Sequence, residues 1–176
     1  GLGSLAIVLG LTPALASERE DRPTFGDTSV FATVPAPGHP FGIAVDRERV
    51  YVSTSVGDFF AGMHMNSAGE QVLAYDKQGH LVHTTHIATM PDATMGLWGM
   101  ALDGNPERGH NLFVSDMNGR ILRLGLNDDQ TTTAPEVFAT PPAAFSGGWP
   151  VTMWNDITFD RAGNLLMTDD KPRLWR

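Results

Sequence analysis

The sequence predicts an all-β chain, a β-propeller of four-stranded antiparallel blades, and three observations carry that expectation. One motif recurs as Phe41-Gly-Ile-Ala-Val-Asp46, Trp98-Gly-Met-Ala-Leu-Asp103 and Asn155-Asp-Ile-Thr-Phe-Asp160, with the closing aspartates 57 residues apart each time. The motif keeps the same company in each copy. Before it stand Val30-Phe-Ala-Thr-Val-Pro35, His86-Ile-Ala-Thr-Met-Pro91 and Val137-Phe-Ala-Thr-Pro-Pro142. After it come Val50-Tyr-Val-Ser-Thr54, Leu112-Phe-Val-Ser-Asp116 and Leu165-Leu-Met-Thr-Asp169. Finally, no stretch sustains a 3.6-residue apolar period with helix caps. Matched features in one order at a fixed period mark a repeat architecture in which neighbouring units bury each other.

Each unit resolves into short strands. Ile43 and Val45, and likewise Met100 and Leu102, alternate with smaller residues in runs too short for a helix. Turn-rich links follow at Asp46-Arg-Glu-Arg49, Asp103-Gly-Asn-Pro106 and Asp160-Arg-Ala-Gly-Asn164. Third strands are expected at residues 71–76 and 120–124, and fourth strands at 81–88 and 136–140. Four antiparallel strands in about fifty residues is the form of a propeller blade. Residues 30–34 then form an outer strand that completes the final blade. The chain opens on Gly1 and stops in what the repeat makes the third strand of unit three. It therefore reads as an N-terminal fragment of about two and a half blades, with the propeller domain over residues 28–176.

Composition bounds the partners. With 176 residues, 41% of them hydrophobic, the chain is globular in character. Twelve basic against twenty acidic residues leave a net charge of −8, so no basic face offers itself to nucleic acid or anionic lipid. The absence of cysteine excludes disulfides, thiolate zinc sites and cysteine nucleophiles. Residues 2–16, LGSLAIVLGLTPALA, form an uncharged apolar run shorter than the roughly twenty residues that span a bilayer. The run ends in the small-x-small pattern of Ala14-Leu15-Ala16. Residues 1–16 read as a signal-peptide remnant, residues 17–27 as a flexible leader, and the destination as secreted or periplasmic, with no stable membrane span after cleavage.

Strand direction sorts the polar residues onto two rims. The loops entering first strands and leaving second strands share one rim, and the turns after Asp46, Asp103 and Asp160 share the other. In those turns a carboxylate bonds its own backbone, so the three regular aspartates are structural. The first rim holds the less ordinary residues. The first strand opens on an aromatic in two units, Phe41 and Trp98, and on Asn155-Asp156 after Trp154 in the third. Two readings stand for that amide and carboxylate: oxygen ligands to a hard cation, or a pair closing its own strand-entry turn. The insertion Phe59–Met65 reads as a loop with an apolar tip, and His80, His83 and His86 as outer-strand surface residues. Asp169-Asp170 reads as a solvent-facing strand end. Ser53 and Ser115 lie in equivalent strands without a Gly-x-Ser-x-Gly elbow, which argues against a serine hydrolase.

HPFGIAVDRERVYVST with EQVLAYDKQGHLV resembles the NHL-type propeller repeat, and WNDITFDRAGNLLMTDDKPRLWR is similar to blades of the senescence marker protein, gluconolactonase and luciferin-regenerating-enzyme-like superfamily. Paraoxonase and strictosidine synthase are relatives. The resemblance spans roughly residues 28–176. It implies a six-bladed ring with a divalent cation, often Ca²⁺, at the channel mouth, and hydrolysis of lactones or related esters. By that match Asn155 is the candidate metal ligand, Asp156 assists beside it, and Phe41, Trp98 and Trp154 wall the mouth. Where the family carries a glutamate ligand in the first blade, this chain has Gly38-His39-Pro40, which leaves His39 as a substrate-side candidate. The alternative reading is a non-catalytic NHL-like propeller that binds a protein or glycan on the same rim.

Overall fold

The computed structural model describes residues 28–36, 38–55, 70–87, 96–104, 110–116, 119–129, 131–140, 154–169 and 174–176, together with Gly26. The apolar run 1–16, nearly all of the leader, and the Phe59–Met65 insertion lie outside the described residues. Residues 31–176 make one compact unit. Among the described residues it contains strands and turns but no helix, and hence no helix long and apolar enough to cross a membrane.

The strands form three antiparallel meanders. The first sheet joins β1 (His39–Val45), β2 (Val50–Ser55), β3 (Gln71–Tyr75) and β4 (Leu81–His86) in chain order. The second joins β5 (Leu97–Leu102), β6 (Asn111–Asp116), β7 (Arg120–Gly125) and β8 (Glu136–Ala139) in the same way. The third has three strands, β9 (Trp154–Phe159), β10 (Leu165–Asp169) and β11 (Leu174–Trp175). All eleven fall where the apolar runs, turn signals and repeat put them, and an aspartate carboxylate holds the tight turn after β1, β3 and β9. Asp46 Oδ1 accepts from the backbone N–H of Glu48 and Arg49, and Asp160 Oδ1 from those of Ala162 and Asn164. These are local bonds of the Asx-turn kind.

The first strands lie side by side, β5 between β1 and β9. Two cores fill the joins between sheets. Ala44, Tyr51, Val72 and Ala74 of the first sheet meet Leu97, Met100, Leu112 and Val114 of the second. Ala101, Phe113 and Ile121 of the second meet Ile157, Phe159 and Met167 of the third. In repeat terms the joins are the same: one face of a sheet receives the opposite face of the next. The two end faces have no such cover among the described residues. Ile43 is 64% and Val45 61% exposed, although Met100 and Ile157, which occupy the repeat position of Ile43, are 5% and 4% exposed.

Residues 30–34 do not form the expected outer strand. A strand persists only where a partner edge takes its backbone N–H and C=O groups, and this segment makes no ladder among the described residues; it passes the β3–β4 turn instead, the Phe31 carbonyl lying against Gly79. Its Phe31 packs edge-on to Tyr75, with ring centroids 6.5 Å apart.

Candidate functional site

A β-bulge stands at the same place in every inner strand. Phe41-Gly42 together oppose Ser53, Trp98-Gly99 oppose Ser115, and Asn155-Asp156 oppose Thr168, two residues against one. The extra residue leaves backbone groups without a ladder partner, and the opposing hydroxyl takes them up. Ser53 Oγ accepts from Gly42 N at 2.8 Å and donates to the carbonyl of Trp98 in the next sheet at 2.5 Å. Ser115 Oγ reaches the carbonyls of Gly99 and Asn155, each at 3.3 Å. Thr168 Oγ1 accepts from Asp156 N at 3.2 Å. Ser53 and Ser115 are thus fully buried ties between sheets.

Glycine in the first two bulges follows from that closeness. A Cβ on Gly42 would run into the carbonyl oxygen of Trp98, and one on Gly99 would lie 2.6 Å from Asp156 Cα. Both obstacles are backbone atoms. In the third bulge the equivalent residue is Asp156, and there a side chain is accommodated.

These bulges line a cavity of about 310 Å³ bounded by Phe41, Gly42, Ile43, Trp98, Gly99, Asn155 and Asp156. Four of the six candidate residues therefore come together. Phe41 and Trp98 stack with centroids 5.3 Å apart at 15° and form an aromatic wall. Asn155 is half-buried, and its Nδ2 donates to the carbonyl of Asp169 at 3.2 Å. That bond fixes the amide so that Oδ1 is the atom left for a ligand. Asp156 is exposed, with Oδ1 accepting from Ile157 N at 2.9 Å. His39, exposed at the start of β1, does not line the cavity. Trp154 opens β9 opposite Asp169. A larger cavity of about 600 Å³ lies at the other end of the same strands, but the carboxylate of Asp160 in its wall is already engaged by its own turn.

The oxygens of Asn155 and Asp156 suit a hard cation by type. They are two donors against the six to eight that Ca²⁺ takes. Among the described residues no group of three His, Asp or Glu side chains is gathered to hold an ion. The described residues by themselves do not complete a cation site.

A second polar cluster stands outside the residues that line the cavity. Asp116, fully buried at the end of β6, accepts from Arg120 Nε at 2.8 Å and from Arg120 Nη2. Glu70, just before β3, is 5% exposed, and its Oε2 has no hydrogen-bond partner. Burial, and then the negative charge of Asp116, push the Glu70 carboxyl up to about 8, with Arg120 opposing. Asp169, at the repeat position of Asp116, is likewise buried rather than solvent-facing, and Trp175 Nε1 donates to its Oδ2 at 2.7 Å. The recurrence of Asp at this place in the second and third units was the available signal. Comparison with family models, with curated proteins and with solved structures returned no match.

Proposed function

We propose that the three sheets are blades of a β-propeller and that the bulge cavity is the mouth of its channel, where a small lactone or related ester binds and is hydrolysed. The observation that carries this reading is the gathering of an aromatic wall, Phe41 on Trp98, with an amide and a carboxylate, Asn155 and Asp156, on three adjacent inner strands. An apolar cavity with a few convergent polar groups is the usual form of a small-molecule site. The face of a sugar ring or lactone lies against the aromatic wall, and its carbonyl and hydroxyl groups turn toward Asn155 and Asp156. The reading also draws on the resemblance of residues 28–176 to the gluconolactonase-like superfamily. In that superfamily a divalent cation, often Ca²⁺, polarises the ester carbonyl. In this chain Asn155 Oδ1 and Asp156 supply two donors of the right type, and the remaining donors come from outside the described residues. Export through the apolar run 2–16 belongs to the same proposal.

The test is hydrolysis of glucono-δ-lactone by the full-length protein with excess Ca²⁺, compared with its Asn155→Ala variant; the 176-residue piece by itself is expected to be inactive. Loss of activity with unchanged circular dichroism is the expected result. Absence of hydrolysis in the full-length parent sinks the enzyme reading. The second reading, a non-catalytic rim that binds a protein or glycan, draws on the aromatic wall, where Phe41 is exposed and stacked on Trp98. It predicts glycan-array or partner binding that Trp98→Ala abolishes while lactone hydrolysis is absent throughout.

A further inference from the structure

One position near the end of the second strand serves the same purpose in all three sheets. Thr54, Asp116 and Asp169 each follow the hydroxyl that faces the bulge, and each is at most 5% exposed. Each bonds the third strand of its own sheet. Thr54 Oγ1 bonds the main chain of Gln71, Asp116 the guanidinium of Arg120, and Asp169 Oδ2 accepts from Trp175 Nε1 at 2.7 Å. Trp175 stands opposite Met167, so Asp169 is its diagonal neighbour, within reach of an aromatic side chain. The indole also packs in the core between the second and third sheets. Its surroundings fix it, and it fixes the Asp169 carboxylate in turn.

The third unit adds a further bond at this position. The main-chain carbonyl of Asp169 accepts from Asn155 Nδ2 at 3.2 Å, whereas Phe41 and Trp98, at the repeat position of Asn155, have no side-chain amide to orient. An amide presents an acceptor at Oδ1 and donors at Nδ2, and a half-turn about χ2 exchanges them. A carbonyl that stays in place decides which end meets a ligand. The Asn155 main chain is held separately, its carbonyl by Ser115 Oγ at 3.3 Å. The direction of the amide therefore depends on the end of β10, and that end is tied to Trp175.

We infer that Asp169 and Trp175 are positioning residues: the indole pins the Asp169 carboxylate, and the Asp169 carbonyl keeps Asn155 Oδ1 as the atom offered to a ligand in the cavity. The inference rests on the reading of Asn155 as a ligand-binding residue, and it assigns two residues that do not line the cavity.

The test uses the isotope-labelled full-length protein. It reads solvent exchange of the Asn155 side-chain amide protons by nuclear magnetic resonance, and affinity for Ca²⁺ alone by calorimetry. Trp175→Phe keeps the ring packing and removes the donor, and is expected to speed the exchange and weaken Ca²⁺ binding, each by about tenfold. Asp169→Asn still offers the indole an acceptor and should stay within about twofold of the parent in both. Asp169→Thr places there the residue type that the first sheet carries at Thr54, and withdraws the acceptor by one bond. Its losses should match those of Trp175→Phe, and it stands in if Trp175→Phe does not fold. Thr54→Val breaks the corresponding tie of the first sheet and should change neither quantity, which separates positioning of Asn155 from general support of the fold. Unchanged exchange in Trp175→Phe and Asp169→Thr overturns the inference, and leaves Asn155 as a ligand if Asn155→Ala abolishes Ca²⁺ binding. Ca²⁺ binding that is absent from the parent, or that survives Asn155→Ala, overturns the ligand reading instead. Faster exchange in Trp175→Phe then upholds the positioning of the amide by itself.

Discussion

The bulges of β5 and β9 share a register and differ in what they carry. In β5 the two bulged residues are Trp98 and Gly99; in β9 they are Asn155 and Asp156. Gly99 is pressed by the backbone of β9, whereas Asp156, in the outermost inner strand of the stack, has room for a carboxylate. Close packing of inner strands therefore selects glycine, and release from it permits a polar residue at the cavity. The aromatic half of the cavity comes from the two covered bulges and the polar half from the uncovered one. One repeated backbone device supplies both halves.

The largest expected effect breaks the covered bulges. Gly42→Ala sets a Cβ against the Trp98 carbonyl, a backbone group that cannot rotate away, and should destabilise by about 3 kcal/mol or prevent folding. Gly104, where a Cβ would meet nothing within 4 Å, is the matched control, and its alanine variant should stay within about 0.5 kcal/mol of the parent in urea unfolding. A smaller loss is expected from Ser53→Ala. It strands the Gly42 N–H and the Trp98 carbonyl in a buried join and should cost about 1–3 kcal/mol. The corresponding Thr168→Val, on an exposed residue, should cost less than either, and an equal loss would mean that the third bulge is as covered as the other two.

The join between the first two sheets also contains Glu70, which sharpens the contrast with the open end. Its folded carboxyl titrates at about 8 against an ordinary 4.5, so the folded state holds the proton more tightly than the unfolded chain. The stabilisation from the protonated form is complete below about 4.5 and is lost as pH rises toward 8. Stability should fall across that window by no more than about 1.4 kcal/mol per pH unit. Glu70→Gln, which imitates the protonated acid, should flatten the slope in urea titrations at about pH 5, 6, 7 and 8. An unchanged slope would assign the pH dependence elsewhere.

Much of the strand plan was legible because its signals are local. Three apolar runs end at turns whose aspartates, Asp46, Asp76 and Asp160, bond residues two to four positions on. The gathering of Phe41, Trp98, Asn155 and Asp156 was legible from the fixed period, which places equivalent residues on adjacent strands. What escaped depends on contacts between sheets. Ser53 reads as an ordinary strand serine until the Trp98 carbonyl, 45 residues away, is beside it. Glu70 precedes a strand without any pattern of its own, and its burial and its coupling to Asp116 arise only when two sheets meet. Asp169 reads as solvent-facing because the indole that covers it, Trp175, belongs to the next strand. Residues 30–34 show the converse case: the local pattern is that of a strand, and the segment makes no ladder among the described residues.

Hydrolysis of glucono-δ-lactone in the presence of Ca²⁺, measured for the full-length protein and for its Asn155→Ala variant at equal fold content, bears most directly on the uncovered bulge as the functional pole. Turnover by the parent and a fall of about tenfold or more in the variant is the expected outcome. Equal rates in the two proteins, or no turnover in either, would contradict it.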